Sequence, residues 1–269
     1  MMDLRGKLAL VTGAGSGIGR ATALALGREG MRVVVCDRDE AAVAGVGREL
    51  GSALALAETV DVTSRDGMRA LADRVHALAP ALDVLVNNAG VAQAGRMVDT
   101  PLADWDHVLG VNLFGVVFGC HFFVPPMVQR ARGGHVVNVA SMVALVALPG
   151  TIAYTTSKFA VLGLSEALRA ELAPHGIGVS AICPGITRTN IARSMRYSEP
   201  LARHRGVLDR LGPSFGHDPD SVARAVVGSV RRNRGTVPVS FESQALSLIK
   251  RASPGAAAMI GAAIARMAP

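Results

Sequence analysis

Tyr154 and Lys158 stand four residues apart in Ala153-Tyr154-Thr155-Thr156-Ser157-Lys158, with Ser141 thirteen residues before the tyrosine. On a helix that spacing puts both side chains on one face, a turn apart. An ammonium beside a phenol favours the phenolate and lowers a pKa that starts near ~10. Each tenfold change in that equilibrium is worth about 1.4 kcal/mol. A phenol so tuned gives and takes a proton near neutral pH, which is what interconversion of an alcohol and a carbonyl requires. The same spacing also arises by chance on solvated helix faces, so its meaning depends on the elements that position it.

Those elements must fit in 269 residues, enough for one α/β domain with a full core. Half the residues are apolar but only 4% are aromatic, so the core is aliphatic and alanine-packed. Cys36, Cys120 and Cys183 are far apart and odd in number, which reads as reduced, buried thiols in a cytoplasmic protein. No metal site is expected, because His107, His121 and His135 lack an accompanying ligand cluster. The start is polar, and Leu8 to Val11 is too short for a signal h-region. No uninterrupted apolar run suggests a bilayer span. The net charge is +7, with basic clusters at Arg203-His204-Arg205 and Arg231-Arg232-Asn233-Arg234. One Trp and two Tyr offer few stacking platforms, which argues against a nucleic-acid partner. Arginines on solvated helix faces explain the charge, while attraction to anionic cofactors or acyl carriers stays open.

Leu8 to Val11 reads as a strand buried on both faces. It leads into Thr12-Gly13-Ala14-Gly15-Ser16-Gly17-Ile18-Gly19 and a helix from Arg20 to Glu29. Gly30 ends that helix, and a second strand runs from Arg32 to Cys36, ending at Asp37. The alternation continues with a helix over 40–50, a strand ending near Asp61-Val62, a helix over 64–78 and a strand over 84–86. Next come a long helix over 105–130, a strand over 136–139, a helix over 154–172, and strands over 179–182 and 236–240. This pattern predicts an α/β fold: a doubly wound parallel sheet of about seven strands, in one domain over 1–240. Glycines after the first strand let main chain approach a pyrophosphate at a helix N-terminus. Asp37 lies near the ~20-residue offset at which a carboxylate accepts from ribose hydroxyls. The same charge repels a 2′-phosphate, so NAD is favoured over NADP, although Arg38 could pair with that phosphate.

Thr12-Gly13-x-x-x-Gly17-x-Gly19, Asp61-Val62, Asn87-Asn88-Ala89-Gly90, Asn112, Ser141, Tyr154, Lys158 and Pro184-Gly185-Ile186-Thr187-Arg188-Thr189 occur in this order. Over roughly 4–240 the chain resembles the short-chain dehydrogenase/reductase family. The resemblance implies a Rossmann fold and an NAD(P)-dependent oxidoreductase with Asn112, Ser141, Tyr154 and Lys158 as its catalytic group. It implies cofactor contacts from Gly13, Ser16, Gly17, Ile18, Gly19, Asp37, Arg38, Asp61, Val62, Asn88, Ala89 and Gly90. Tyr154, Lys158, Pro184, Gly185, Thr187 and Thr189 would complete them, the segment Pro184 to Thr189 holding the nicotinamide carboxamide. In this reading Tyr154 exchanges the proton, Lys158 tunes it and bonds the nicotinamide ribose, and Ser141 donates to the substrate oxygen. Asn112 would anchor a water linking Lys158 to solvent. A homodimer or homotetramer is also implied. The Asp-Gly-Gly that many members use in tetramer packing is replaced here by Val237-Pro238-Val239-Ser240 and the extension 241–269.

Substrate would lie between 142–149, 91–97 and the mobile segment 190–220. Val143 to Leu148 are all apolar, which either favours a hydrophobic alcohol or ketone or reflects packing beneath a lid. Ser253-Pro254 starts a helix carrying Met259, Ile260 and Ile264 on one side. That tail could cover the cleft, pack in a dimer or touch a membrane surface, with protein packing favoured over the membrane. The rival to an enzyme is a regulatory protein that senses NAD(H) without turnover.

Overall fold

The computed structural model describes residues 2–189, 191, 195–199 and 216–267, the side chains of 258 and 264–267 excepted. The chain begins with β1 (Leu8–Thr12), α1 (Gly17–Arg28), β2 (Arg32–Asp37), α2 (Glu40–Leu50), β3 (Leu54–Thr59) and α3 (Arg65–Leu78). The middle holds β4 (Val84–Asn87), β5 (Gln93–Ala94), α4 (Leu102–Leu109), α5 (Gly115–Arg130), β6 (Gly134–Val139), α6 (Ile152–Leu172) and β7 (Ile177–Cys183). It ends with β8 (Arg196–Tyr197), α7 (Pro219–Arg232), β9 (Thr236–Pro238), α8 (Phe241–Ala252) and α9 (Pro254–Met267).

Seven strands form one parallel sheet in the order β3-β2-β1-β4-β6-β7-β9. Side chains on a strand alternate between faces, and β1 shows the consequence. Leu8 and Leu10 enter one core with Met68, Leu71, Phe123 and Met127; Ala9 and Val11 enter the other with Leu26, Val43, Val46 and Val226. Helices therefore cover both faces, and each fully buried aliphatic side chain contributes roughly 1.5–3 kcal/mol. The strand order reverses between β1 and β4, the switch point outside whose carboxyl ends a crevice opens.

The expected alternation is present, with instructive differences. The third strand stops at Thr59, so Asp61 and Val62 stand beyond its end, where they face the crevice. Helix α7 was not anticipated, yet Asp218 caps it, Pro219 opens it, and Val222, Val226 and Val230 are buried along one side. The long helix over 105–130 is two α-helices joined through a π-helical turn, Gly110–Phe114. Within Leu102–Arg130, 29 residues long, an 18-residue window has a mean hydropathy of 1.8, long and apolar enough to cross a membrane by length and composition alone, yet the run is interrupted by Asp104, Asp106 and Asn112. Phe123 and Met127 on this run are fully buried in the core.

Candidate active site

The crevice is a cleft of about 450 Å³ at the carboxyl ends of the strands. Every residue expected to hold a cofactor lines it: Gly13, Ser16, Gly17, Ile18, Gly19, Asp37, Arg38, Asp61, Val62, Asn88, Ala89, Gly90, Tyr154, Lys158, Pro184, Gly185, Thr187 and Thr189. Gly13 has φ +61°, and a Cβ there would stand 2.6 Å from Ala89 Cα. Only glycine therefore lets the turn pass so close to the end of β4. Gly17 has φ +53°, and a Cβ would meet Thr189 at 3.0 Å across the cleft. Asp37 is held from behind, its carboxylate accepting from the main-chain N–H of Gly15 at 2.8 Å and of Asp39 at 3.1 Å. A bare glycine cradle beside an oriented carboxylate fits the pyrophosphate and ribose of a dinucleotide.

Two residues without an assigned role hold this half together. Thr12 Oγ1 accepts from the N–H groups of Asn88 and Ala89 at 3.0 and 3.1 Å. Asn88 answers by donating to the carbonyls of Thr12 and Gly13 at 2.9 and 3.0 Å. Gly15, the second unassigned residue, lines the cleft as well as bonding Asp37. Thr12 preceding the first glycine was the signal available in the sequence.

Ser141, Tyr154 and Lys158 also line the cleft, and Asn112 sits behind it, fully buried. Asn112 Oδ1 accepts from Val91 N–H at 2.8 Å, and Nδ2 donates to Val91 O and Ser157 Oγ, each at 3.0 Å. The π-helical turn delivers it: one extra residue in the turn re-aims a side chain at an otherwise regular helix. Ser157, another residue without an expected role, donates to Tyr154 O at 2.7 Å. A Cβ on Gly90 would lie 3.4 Å from Asn112 Oδ1 and 3.6 Å from Lys158 Nζ, so these groups flank one glycine.

The electrostatics differ from the expectation of a depressed phenol. Burial pushes the Tyr154 pKa up, and a hydrogen bond with Ser141 pulls it back only in part. Burial also lowers Lys158 to about 8. Lys158 Nζ donates to Val139 O at 2.9 Å and lies 5.8 Å from the Tyr154 ring centroid. Desolvation thus dominates both groups, and each prefers its neutral form.

The apolar segment after Ser141 does not line the cleft. Val143, Ala144, Leu145 and Val146 are buried, with Ala144 and Leu145 in the larger core. Val91 and Ile191 do line it, whereas most of the segment 190–220, including Asn190, lies outside the described residues. Of the tail's apolar side, Met259 is exposed, Ile260 is partly buried, and the Ile264 side chain lies outside the described residues. A second hollow, of about 490 Å³, gathers Lys7, Arg132, Arg231 and Arg232. Arg231 and Arg232 end α7, and Arg132 follows the end of α5, where cations complement carbonyls at helix C-termini. Among the described residues no three His, Cys, Asp or Glu side chains could share a metal ion. The three cysteines are buried and free, with pKa values pushed up to about 12 by desolvation.

The model of the short chain dehydrogenase family matches residues 7–200. The chain belongs to that family. Among the curated relatives of this chain is the "Probable oxidoreductase EphD" of Mycobacterium tuberculosis, 43% identical over 257 residues. That match covers 93% of this chain and 43% of EphD, so the chain spans less than half the length of that relative. The D-threitol dehydrogenase of Mycolicibacterium smegmatis is 38% identical over 231 residues, covering 83% of this chain and 85% of the relative. A solved short-chain dehydrogenase/reductase from Burkholderia phymatum, in complex with NAD, superposes with a TM-score of 0.87 at 30% identity. That superposition covers 94% of this chain and 96% of the other, and both are Rossmann folds.

Proposed function

We propose that this short-chain dehydrogenase interconverts a secondary alcohol and a ketone, with NAD(H) as its cofactor and Tyr154 as its acid and base. The observation that carries the reading is one cleft containing the glycine cradle, the Asp37 carboxylate and the Ser141, Tyr154 and Lys158 side chains. When bound, NAD(H) accepts or supplies the hydride. The protein does the rest. Ser141 donates to the substrate oxygen and stabilises charge as it develops there. Tyr154, its pKa raised, is protonated at neutral pH and is therefore set to donate to an alkoxide formed by reduction. Oxidation needs the phenolate, so its rate is expected to climb as pH rises through the alkaline range. Lys158, near 8, can accept or return a proton beside Tyr154 in the same interval. Asn112 fixes the Val91 main chain and Ser157, and through Ser157 the Tyr154 carbonyl.

Asp37 supports NAD over NADP, since its carboxylate is oriented into the cleft by two main-chain donors while Arg38 is exposed. The burial of Val143 to Val146 removes the main support for an apolar substrate, and the reading is one of reaction class. A panel of secondary alcohols, polyols and hydroxysteroids, followed by NADH absorbance with the purified chain, tests it. Turnover of one group with NAD supports the proposal. NADH binding without turnover of any would favour the nucleotide-sensing alternative instead.

A further inference from the structure

Helix α8 starts just after the last strand, and its first turn carries Glu242. The Glu242 carboxylate meets His217 Nε2 at 3.0 and 3.1 Å. His217 is in turn stitched to one wall of the cleft: its N–H donates to Ile186 O at 2.8 Å, and its carbonyl accepts from Arg188 N–H at 2.9 Å. Thr187, between those two anchors, lines the cleft. Gly185 backs onto the same carboxylate, because a Cβ there would collide with Glu242 Oε1 and Ser240 Oγ. Although burial works against the charge, bonds from the main chain, Ser240 and His217 keep the Glu242 pKa below its usual value.

The same helix reaches the opposite wall. Lys250 Nζ donates to Ala144 O at 3.4 Å and lies 4.5 Å from the Phe159 ring centroid. Ala144 follows Ser141 by three residues, and Phe159 follows Lys158 directly. On α9 a Cβ at Gly261 would stand 2.9 Å from Ala147 O. The segment after the sheet therefore braces both the Pro184–Thr189 wall and the wall that carries Ser141 and Lys158.

We propose that Glu242 is a positioning residue for the nicotinamide end of the cleft, acting through His217 and Gly185 on Thr187. The inference rests on the NAD(H) reading above. Two probes separate a positioning effect from general loosening: NADH, and ADP-ribose, which lacks the nicotinamide. Calorimetric titration of Glu242→Ala should show NADH affinity down about fivefold, the scale of one partly exposed charged contact. ADP-ribose affinity should stay within about twofold of wild type. His217→Ala should reproduce this pattern, and the double variant should be no weaker than the weaker single, since both remove one contact. Unchanged NADH affinity in both single variants would overturn the proposal, as would equal losses for the two probes. Should Glu242→Ala fail to fold, His217→Ala alone decides, because its ring is partly exposed and its main-chain bonds survive. A wild-type protein that binds neither probe would instead overturn the NAD(H) reading, and this inference with it.

Discussion

The two halves of the cleft are held by different kinds of interaction. In the glycine half two stretches of main chain pass close together: Gly13 runs beside Ala89, and the Thr12 and Asn88 side chains bond the backbone of the opposing strand ends. In the Tyr154 half, buried polar side chains do the holding: Asn112 bonds the Ser157 hydroxyl and the Val91 main chain, and Lys158 the Val139 carbonyl. Main-chain packing fixes shape and tolerates little change of residue size. A desolvated side-chain cluster instead fixes protonation, because low polarity makes each charge costly. Under the proposed function, one half would recognise a ligand by form and the other would exchange protons.

The largest effect should come from the Tyr154 half. Tyr154→Phe keeps the ring and deletes only the hydroxyl that carries the exchangeable proton, so turnover should fall about 10²–10⁴-fold. NADH affinity, for which the other cleft residues stay in place, should remain within about twofold of wild type. Parallel steady-state assays and NADH titration check both, and activity within a few-fold of wild type would remove Tyr154 from the reaction. Next is the buried ammonium. Lys158 has a folded pKa of about 8 against an ordinary 10.5, so below pH 8 the fold bears the cost of a desolvated charge. That cost is relieved as pH rises from about 8 to 10.5, where the lysine is neutral when folded but still protonated when unfolded. The stability of Lys158→Met minus that of wild type should therefore decline by about 3 kcal/mol across this window. Urea unfolding at several pH values measures it, and a flat difference would mean the ammonium is solvated. In the glycine half, Thr12→Val should cost about 1–3 kcal/mol by leaving the Asn88 and Ala89 N–H groups without their acceptor. Thermal unfolding reads that loss, and a change under about 0.5 kcal/mol would show that water replaces the hydroxyl.

The same contrast explains what could be read from the chain. Glycine spacing is a local consequence of sterics, so the turn after β1 and its facing residues were legible from 12–19 and 87–90. Buried strands announce themselves as continuous runs such as Leu8 to Val11 and Arg32 to Cys36. The protonation state of Tyr154 was not legible, because spacing shows the neighbouring cation but not the water excluded from both groups. Nor was the fate of Val143 to Val146: an apolar run looks alike whether it faces substrate or core, and only α6 and the tail decide. Helix α7 was missed although Asp218-Pro219 and the Val222, Val226, Val230 stripe gave the usual signs of a capped amphipathic helix. The π-helical turn left no such sign, since the apolar pattern of 102–130 continues through it.

The smallest expected effect sharpens the comparison by asking how much of the glycine half's selectivity comes from charge. Asp37 is bonded to Gly15 N–H, so its carboxylate both shapes the turn and faces the ligand. Removing it by Asp37→Ala should lower the NAD to NADP preference about tenfold, or about 1.4 kcal/mol. Loss of repulsion would raise NADP affinity, whereas loss of the ribose contact would weaken NAD. Asp37→Asn separates the two contributions, because an amide oxygen can still accept from Gly15 N–H while the negative charge is gone. If NADP affinity rises equally in both variants, charge sets the choice. If only the alanine variant changes, the turn geometry held by the side-chain oxygen sets it, and this half discriminates by form alone. An unchanged ratio in both would move the selectivity to Arg38, which lines the cleft one residue further on.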